Sequence, residues 1–244
     1  MEQAGFSTGC LYREKWSLED KVKFYRQFGA DNLEISFLGY REILGFEPSK
    51  ELAGLAGAFR RVSIHAPAKG FTYGRNNISG AVLEKLFILT SRISVSDIVA
   101  HPENIDDFSI LEKTGLPFII ENMDKRKDKW TTPKEFEQLA RDYPFGFLLD
   151  TQHTFEHDPS MKLGFEFLDV FGDRLRQMHV SGYAAYEPHY PLHRASNRYA
   201  VSKFLAMAPV VPKIAEGVLT KNIPLQAKLE QDYLNGQYRD AVIF

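Results

Sequence analysis

The stretch Gly146-Phe147-Leu148-Leu149-Asp150-Thr151-Gln152-His153 decides how the rest of the chain is read. Its four opening residues form a short apolar run that reads as a buried strand closing on Asp150. A carboxylate at a strand tip with a histidine three residues on offers two metal-type ligands at neighbouring positions. Working outward, the same arrangement recurs. VSIHAP (62–67) closes on His65, DIVAHPE (97–103) on His101, PFIIEN (117–122) on Glu121, LRQMHV (175–180) on His179 and LQAKLE (225–230) on Glu230. The recurrence of an apolar run ending on an imidazole or carboxylate is the signal, because one such ending alone is ordinary.

These runs are evenly spread. Eight strand-like stretches lie near 5–7, 33–36, 62–66, 97–101, 117–122, 146–150, 175–180 and 225–230. Helical patterns fill the intervals: Ser17-Leu18-Glu19-Asp20 has a capping-box pattern ahead of the amphipathic KVKFYRQF, and Thr132-Pro133-Lys134-Glu135 puts proline at a helix's first position. Asp158-Pro159 is expected to start a third helix. Strand and helix alternating eight times predict an α/β fold, a single (β/α)8 TIM barrel spanning residues 1–244 as one domain. A doubly wound sheet is the alternative, and it has no glycine fingerprint to support it. The longest irregular stretches, GFTYGRNN (70–77) and 181–197, follow strands and are expected on the catalytic face.

Composition narrows the chemistry. The 244 residues are 44% hydrophobic and 25% charged, with a formal net charge of -2, so no global basic field attracts nucleic acid or an anionic membrane. Cys10 is the only cysteine, which excludes an internal disulfide, points to a reducing compartment and leaves His, Asp and Glu to build any metal site. No apolar run has the length of a membrane span, and the N-terminus lacks a signal-peptide pattern. A cytoplasmic location is expected.

In a barrel, residues at the C-terminal strand ends converge around the axis. That places His65, His101, Glu121, Asp150, His179 and Glu230 together, with His153 just beyond the sixth strand. Glu187 and His189 follow in the loop after the seventh, where their spacing sets both on one face of an extended segment. Nine imidazoles and carboxylates at one mouth need cations to neutralise them and to satisfy their lone pairs. The mixture of imidazole and carboxylate favours divalent zinc, with manganese as the alternative, over magnesium or calcium.

With these motifs in order, the chain resembles the xylose isomerase-like TIM-barrel superfamily (AP endonuclease family 2), and its ligand pattern is most similar to the three-metal site of endonuclease IV. The resemblance implies up to three ions: one held by His65, His101 and Glu121, a second by Glu121, Asp150, His179 and Glu230, and a third by His153, Glu187 and His189. EPHYPL (187–192) resembles the family's Asp-Arg-His segment, with Glu replacing Asp and Pro replacing Arg. The DNA-handling parts differ. His65 is followed by APAKG where endonuclease IV carries an aromatic and an apolar residue, and FLGYRE (37–42) holds one arginine and one tyrosine in place of a basic grip.

Two activities follow as expectations. One is a metal-dependent phosphoesterase, a hydrolase with a multinuclear centre. The other is a sugar or sugar-phosphate isomerase or epimerase using a single ion, in which Glu121 and Glu230 would also move protons. A binding module that keeps the barrel and a structural metal is a third class. The expected partner is a small phosphorylated or sugar-like substrate; nucleic acid stays open although DNA-contacting residues are not evident, and no membrane is expected. His157 and His193 fit no ligand role, Arg126 and Lys127 read as a solvated loop, Lys69 as a surface lysine, Lys228 as a neighbour of Glu230, and Cys10 as packing.

Overall fold

The structure, a computed structural model, describes residues 4–184 and 187–236, the side chains of Glu187 and Pro188 excepted. Eight parallel strands close into a barrel: β1 (Gly5–Ser7), β2 (Asn32–Ser36), β3 (Arg61–His65), β4 (Asp97–Ala100), β5 (Phe118–Glu121), β6 (Gly146–Asp150), β7 (Leu175–Val180) and the strand Lys213–Ala215. A short antiparallel hairpin, β8 (Gly182–Ala184) and β9 (Glu187–Tyr190), interrupts the connection to that last strand, which is therefore β10. Each barrel strand pairs with its sequence neighbour, and β10 closes the ring between β7 and β1. The barrel and its helices are what the sequence pattern predicts.

Local chemistry sets the helix starts. Ser17 accepts the Asp20 N–H at 3.1 Å ahead of the helix Leu18–Gln27. Thr132 and Glu135 form a reciprocal capping box at Pro133–Asp142. Asp158-Pro159 differs from expectation: it forms a turn, and the helix Lys162–Phe171 begins later, where Asp158 accepts the Leu163 N–H at 2.9 Å. The main core lies between strands and helices, where Phe147 stacks on Phe171 at 4.4 Å and on Phe167 at 5.5 Å.

One strand is not where the sequence pattern put it. LQAKLE (225–230) lies inside the helix Ile223–Leu234, with Pro224 in its first turn. Gln226, Ala227, Glu230, Gln231 and Leu234 are among its buried residues, a spacing that only a helix aligns on one face. The eighth barrel strand comes earlier, from the short stretch Lys213–Ala215 after Pro212, and it closes on Glu216 ahead of Gly217. Glu216 extends the ladder by donating its N–H to Val180 O at 3.0 Å.

Candidate metal centre at the barrel mouth

Strand alternation aims the strand-end side chains inward, and the register sets them level. Asp150 on β6 lies opposite His179 on β7, and His179 opposite Ile214 on β10, so Glu216 follows on the same face. Asp150 also ends its strand as the cap of the helix Thr151–His157, its Oδ1 accepting the N–H groups of Gln152 at 2.7 Å and His153 at 2.8 Å. That turn folds His153 back over the mouth, where its Nδ1 meets the Asn122 carbonyl at 2.8 Å.

Glu121 stands at the centre, buried. Its Oε2 lies 3.5 Å from His65 Nε2 and 3.3 Å from His101 Nε2, and those two nitrogens are 3.2 Å apart. Donors about 2.0–2.1 Å from a tetrahedral zinc sit roughly 3.3–3.4 Å from one another, so these three atoms have the spacing of one face of such a site. Glu121 Oε1 faces the other way, 3.6 Å from His179 Nδ1 and 3.4 Å from His153 Nδ1. Glu216 divides in the same manner: Oε1 is 3.2 Å from His179 Nδ1 and Oε2 is 3.6 Å from His189 Nδ1.

Ligand atoms within 4.8 Å of one another form overlapping groups among the described residues: His65, His101 and Glu121; Glu121, Asp150 and His179; Asp150, His189 and Glu216; and Glu34, His179 and Glu216. Four side-chain atoms of these groups, Glu34 Oε1, Glu121 Oε2, Asp150 Oδ2 and His179 Nδ1, are buried without a hydrogen-bond partner. Unpaired buried polar atoms cost about 1–3 kcal/mol each, so their convergence fits a cation-binding centre. The donors are all nitrogen and oxygen, a set suited to zinc or manganese.

Electrostatics agree with that fit. Burial disfavours a charged His101, but Glu121 and Glu103 overcome it and push the imidazole up to about 10. Burial works likewise against His179, and Glu216, Glu34 and Glu121 hold it well above the ordinary imidazole range. Glu216 falls to about 2 despite its burial, through His179 and His189, while burial and the Glu121 and Glu216 charges raise Asp150. Protonated imidazoles here occupy the role of cations, and an ion entering would displace those protons.

Of the ligands expected from the sequence, His65, His101, Glu121, Asp150, His179 and His189 come together. His153 borders them, edge-on to His189 with ring centroids 5.6 Å apart and its Nε2 4.0 Å from Asp124 Oδ2. Glu187 lies in β9, and its side chain is outside the described residues. Glu230 is corrected: its oxygens accept the N–H groups of Leu192 at 2.7 Å and His193 at 2.9 Å, with His193 Nδ1 at 2.7 Å, because a helix rather than a strand carries it. Lys228 moves with it, paired to Asp232 on the same helix. Glu216 and Glu34 were missed. KIAE (213–216) carries the same closing pattern as the other strands, whereas Glu34 sits within β2, where only alternation hints that it points inward.

Other side chains have clear partners. Arg126 and Lys127 are engaged rather than merely solvated, Arg126 with Asp124 at 2.6 Å and Lys127 with Glu103 at 2.8 Å. Cys10 packs beneath the site, its thiol donating to Ala215 O at 3.0 Å and held protonated by burial and by the Glu216 and Glu230 charges.

No protein-family model and no curated relative matches the chain. Solved structures do. A D-tagatose 3-epimerase-like protein superposes with a TM-score of 0.73 at 16% identity, covering 98% of this chain and 99% of the other. Endonuclease IV from Thermus thermophilus gives 0.71 at 14% identity, with 98% and 99% covered. The chain shares the TIM-barrel fold of both. A 3-keto-D-glucoside 4-epimerase from E. coli superposes at a TM-score of 0.68 and 13% identity, with 97% of this chain and 100% of that one covered. At such identities the likeness concerns the fold.

Proposed function

We propose that the protein is a metal-dependent phosphoesterase with a multinuclear, zinc-type centre held by His65, His101, Glu121, Asp150, His179, His189 and Glu216, with His153 and Glu187 completing its outer position. The observation that carries this reading is the division of two carboxylates. Glu121 presents one oxygen to His65 and His101 and the other to His179, while Glu216 presents one to His179 and the other to His189. A single-ion site has no use for His65, His101 and His189, nor for two carboxylates that each face two ways.

When bound, divalent ions at these positions would polarise a phosphoryl oxygen, activate water and offset the charge that develops in the transition state. The protein's own groups prepare the site. His65 Nδ1 is 3.0 Å from Ala66 O and His153 Nδ1 is 2.8 Å from Asn122 O, which places the ring proton on Nδ1 and leaves the Nε2 lone pair free. Glu103 Oε1, 3.5 Å from His101 Nδ1, places a negative charge beside that ring. The buried strand ends keep the carboxylates away from bulk water, so their charge acts at close range.

A sugar isomerase or epimerase is the second reading, favoured by one observation: Glu121, Asp150 and His179 group their ligand atoms, and Glu216 Oε1 lies 3.2 Å from the same His179 Nδ1, so one ion held there would have two glutamates available for proton transfer. The two separate on activity. Zinc- and manganese-loaded protein is assayed on a generic phosphodiester and on a panel of ketoses. Hydrolysis of the phosphodiester is expected, and ketose interconversion with the phosphodiester untouched would replace the first reading by the second.

A further inference from the structure

The barrel interior below the ligands is divided. Two residues before His101, Glu121 and Asp150 on their strands stand Val99, Ile119 and Leu148, which form a small buried apolar cluster of their own. Two residues before His65 and His179 stand Ser63 and Gln177, both buried and polar. Both donate to one oxygen of Glu34, Ser63 Oγ at 3.1 Å and Gln177 Nε2 at 2.9 Å. That oxygen, Oε2, is also 2.9 Å from His179 Nε2.

Glu34 is fully buried, and its partners are a hydroxyl, an amide and an imidazole. Burying a carboxylate on β2 is costly, so the arrangement calls for a reason. The opposite ring nitrogen supplies it. His179 Nδ1 is buried without a hydrogen bond and faces Glu121 Oε1 at 3.6 Å and Glu216 Oε1 at 3.2 Å. A 2.9 Å approach of Nε2 to a carboxylate requires the proton on Nε2. Gln177 Nε2, 3.2 Å from the same ring nitrogen, is a second donor converging on the shared oxygen.

We propose that Glu34 is a positioning residue of the metal centre: by accepting the Nε2 proton of His179 it fixes the ring and its tautomer, so that the Nδ1 lone pair faces the ion between Glu121 and Glu216. The inference rests on the metal-centre reading above. It places Glu34 behind the histidine, because its Oε2 meets three donors on the side of the ring away from Nδ1, while its Oε1 is buried without a hydrogen bond. A carboxylate accepting the far N–H of a ligating histidine raises the ligand's basicity, and removing such a partner weakens metal binding about 10–100-fold.

The test uses the full-length protein labelled with 15N-histidine and loaded with 113Cd. Coupling of the metal to His179 Nδ1, with a proton retained on Nε2, is expected; coupling to Nε2 would overturn the assignment. This spectrum is read on the unsubstituted protein, so a poorly folding variant leaves the inference testable. Glu34→Gln should bind zinc about 10–100-fold more weakly in chelator competition, with the same number of ions at saturation. Unchanged affinity in that variant would overturn the role of Glu34 while leaving the metal centre standing. A wild-type protein that takes up no cadmium or zinc would overturn the metal-centre reading and this inference together.

Discussion

Glu121 Oε2 faces His65 and His101 and Glu121 Oε1 faces His179, and this two-sided contact makes Glu121 the residue whose charge matters most. Replacing it with Gln keeps the shape and removes the charge between adjacent cation positions, where repulsion would go uncompensated. Glu121→Gln is expected to lose bound metal and to lower phosphodiesterase turnover by orders of magnitude, with an unchanged circular dichroism spectrum. An active Glu121→Gln protein would contradict both enzymatic readings. The outer histidines distinguish them: His101→Ala and His189→Ala should each lower the number of bound ions, measured alongside the rate, and should lose more in kcat than in KM. Proton linkage gives a third residue-level expectation. In metal-free protein His101 is raised from the ordinary 6.5 to about 10, so its contribution to stability is fully present below 6.5 and is lost as pH rises through 10. Glu216 is lowered from 4.5 to about 2, so its contribution is present above 4.5 and lost as pH falls through 2. Urea midpoints of the metal-free protein should therefore fall between about pH 7 and pH 10; a flat or rising profile there would contradict the charge balance described for His101.

At the scale of elements, the helix Ile223–Leu234 and the β8–β9 hairpin are coupled through a residue whose position the sequence pattern misjudged. Glu230 holds the turn Leu192–Arg194, which directly follows β9 and His189. The segment after β10 secures the same hairpin from below. Val218 donates to His189 O at 2.8 Å, and a Cβ on Gly217 would lie 2.5 Å from Pro191 Cα, closer than any side chain allows. His189 itself has φ 56°, a left-handed backbone that a non-glycine residue keeps only when its surroundings enforce it. Glu230→Ala leaves the buried Leu192 N–H and the partly buried His193 N–H unpaired and should cost roughly 1–3 kcal/mol for the buried one, less for the other. Its effect on metal should be confined to the position nearest His189, seen as loss of the weakest-binding ion in a zinc titration while the others titrate as in the wild type. Loss of every ion with the fold intact would return Glu230 to the ligand set. The contrast with Glu216→Gln, expected to disturb His179 and His189 together, separates the anchoring carboxylate from the ligating one.

For the whole molecule, the barrel was legible because seven of its strands fall on short apolar runs, and because helix caps such as Ser17 and Thr132 mark where crossover helices begin. The eighth strand was obscured by length. Lys213–Ala215 has three residues, too few to display an alternation, while LQAKLE presents a longer apolar pattern that belongs to a helix face. Glu34 was obscured for another reason, since a mid-strand carboxylate between Leu33 and Ile35 looks solvent-facing until closure of the barrel turns that face inward. The large core between strands and helices involves none of the proposed ligands, so the metal-free protein should fold, with added zinc raising its melting temperature by an amount set by affinity and free metal. Identical melting with and without zinc would argue against a tight native site. The most direct test of the central claim is elemental analysis of protein purified without chelator. The multinuclear reading predicts more than one divalent ion per chain and up to three, whereas a single ion at saturation, or none, would contradict it.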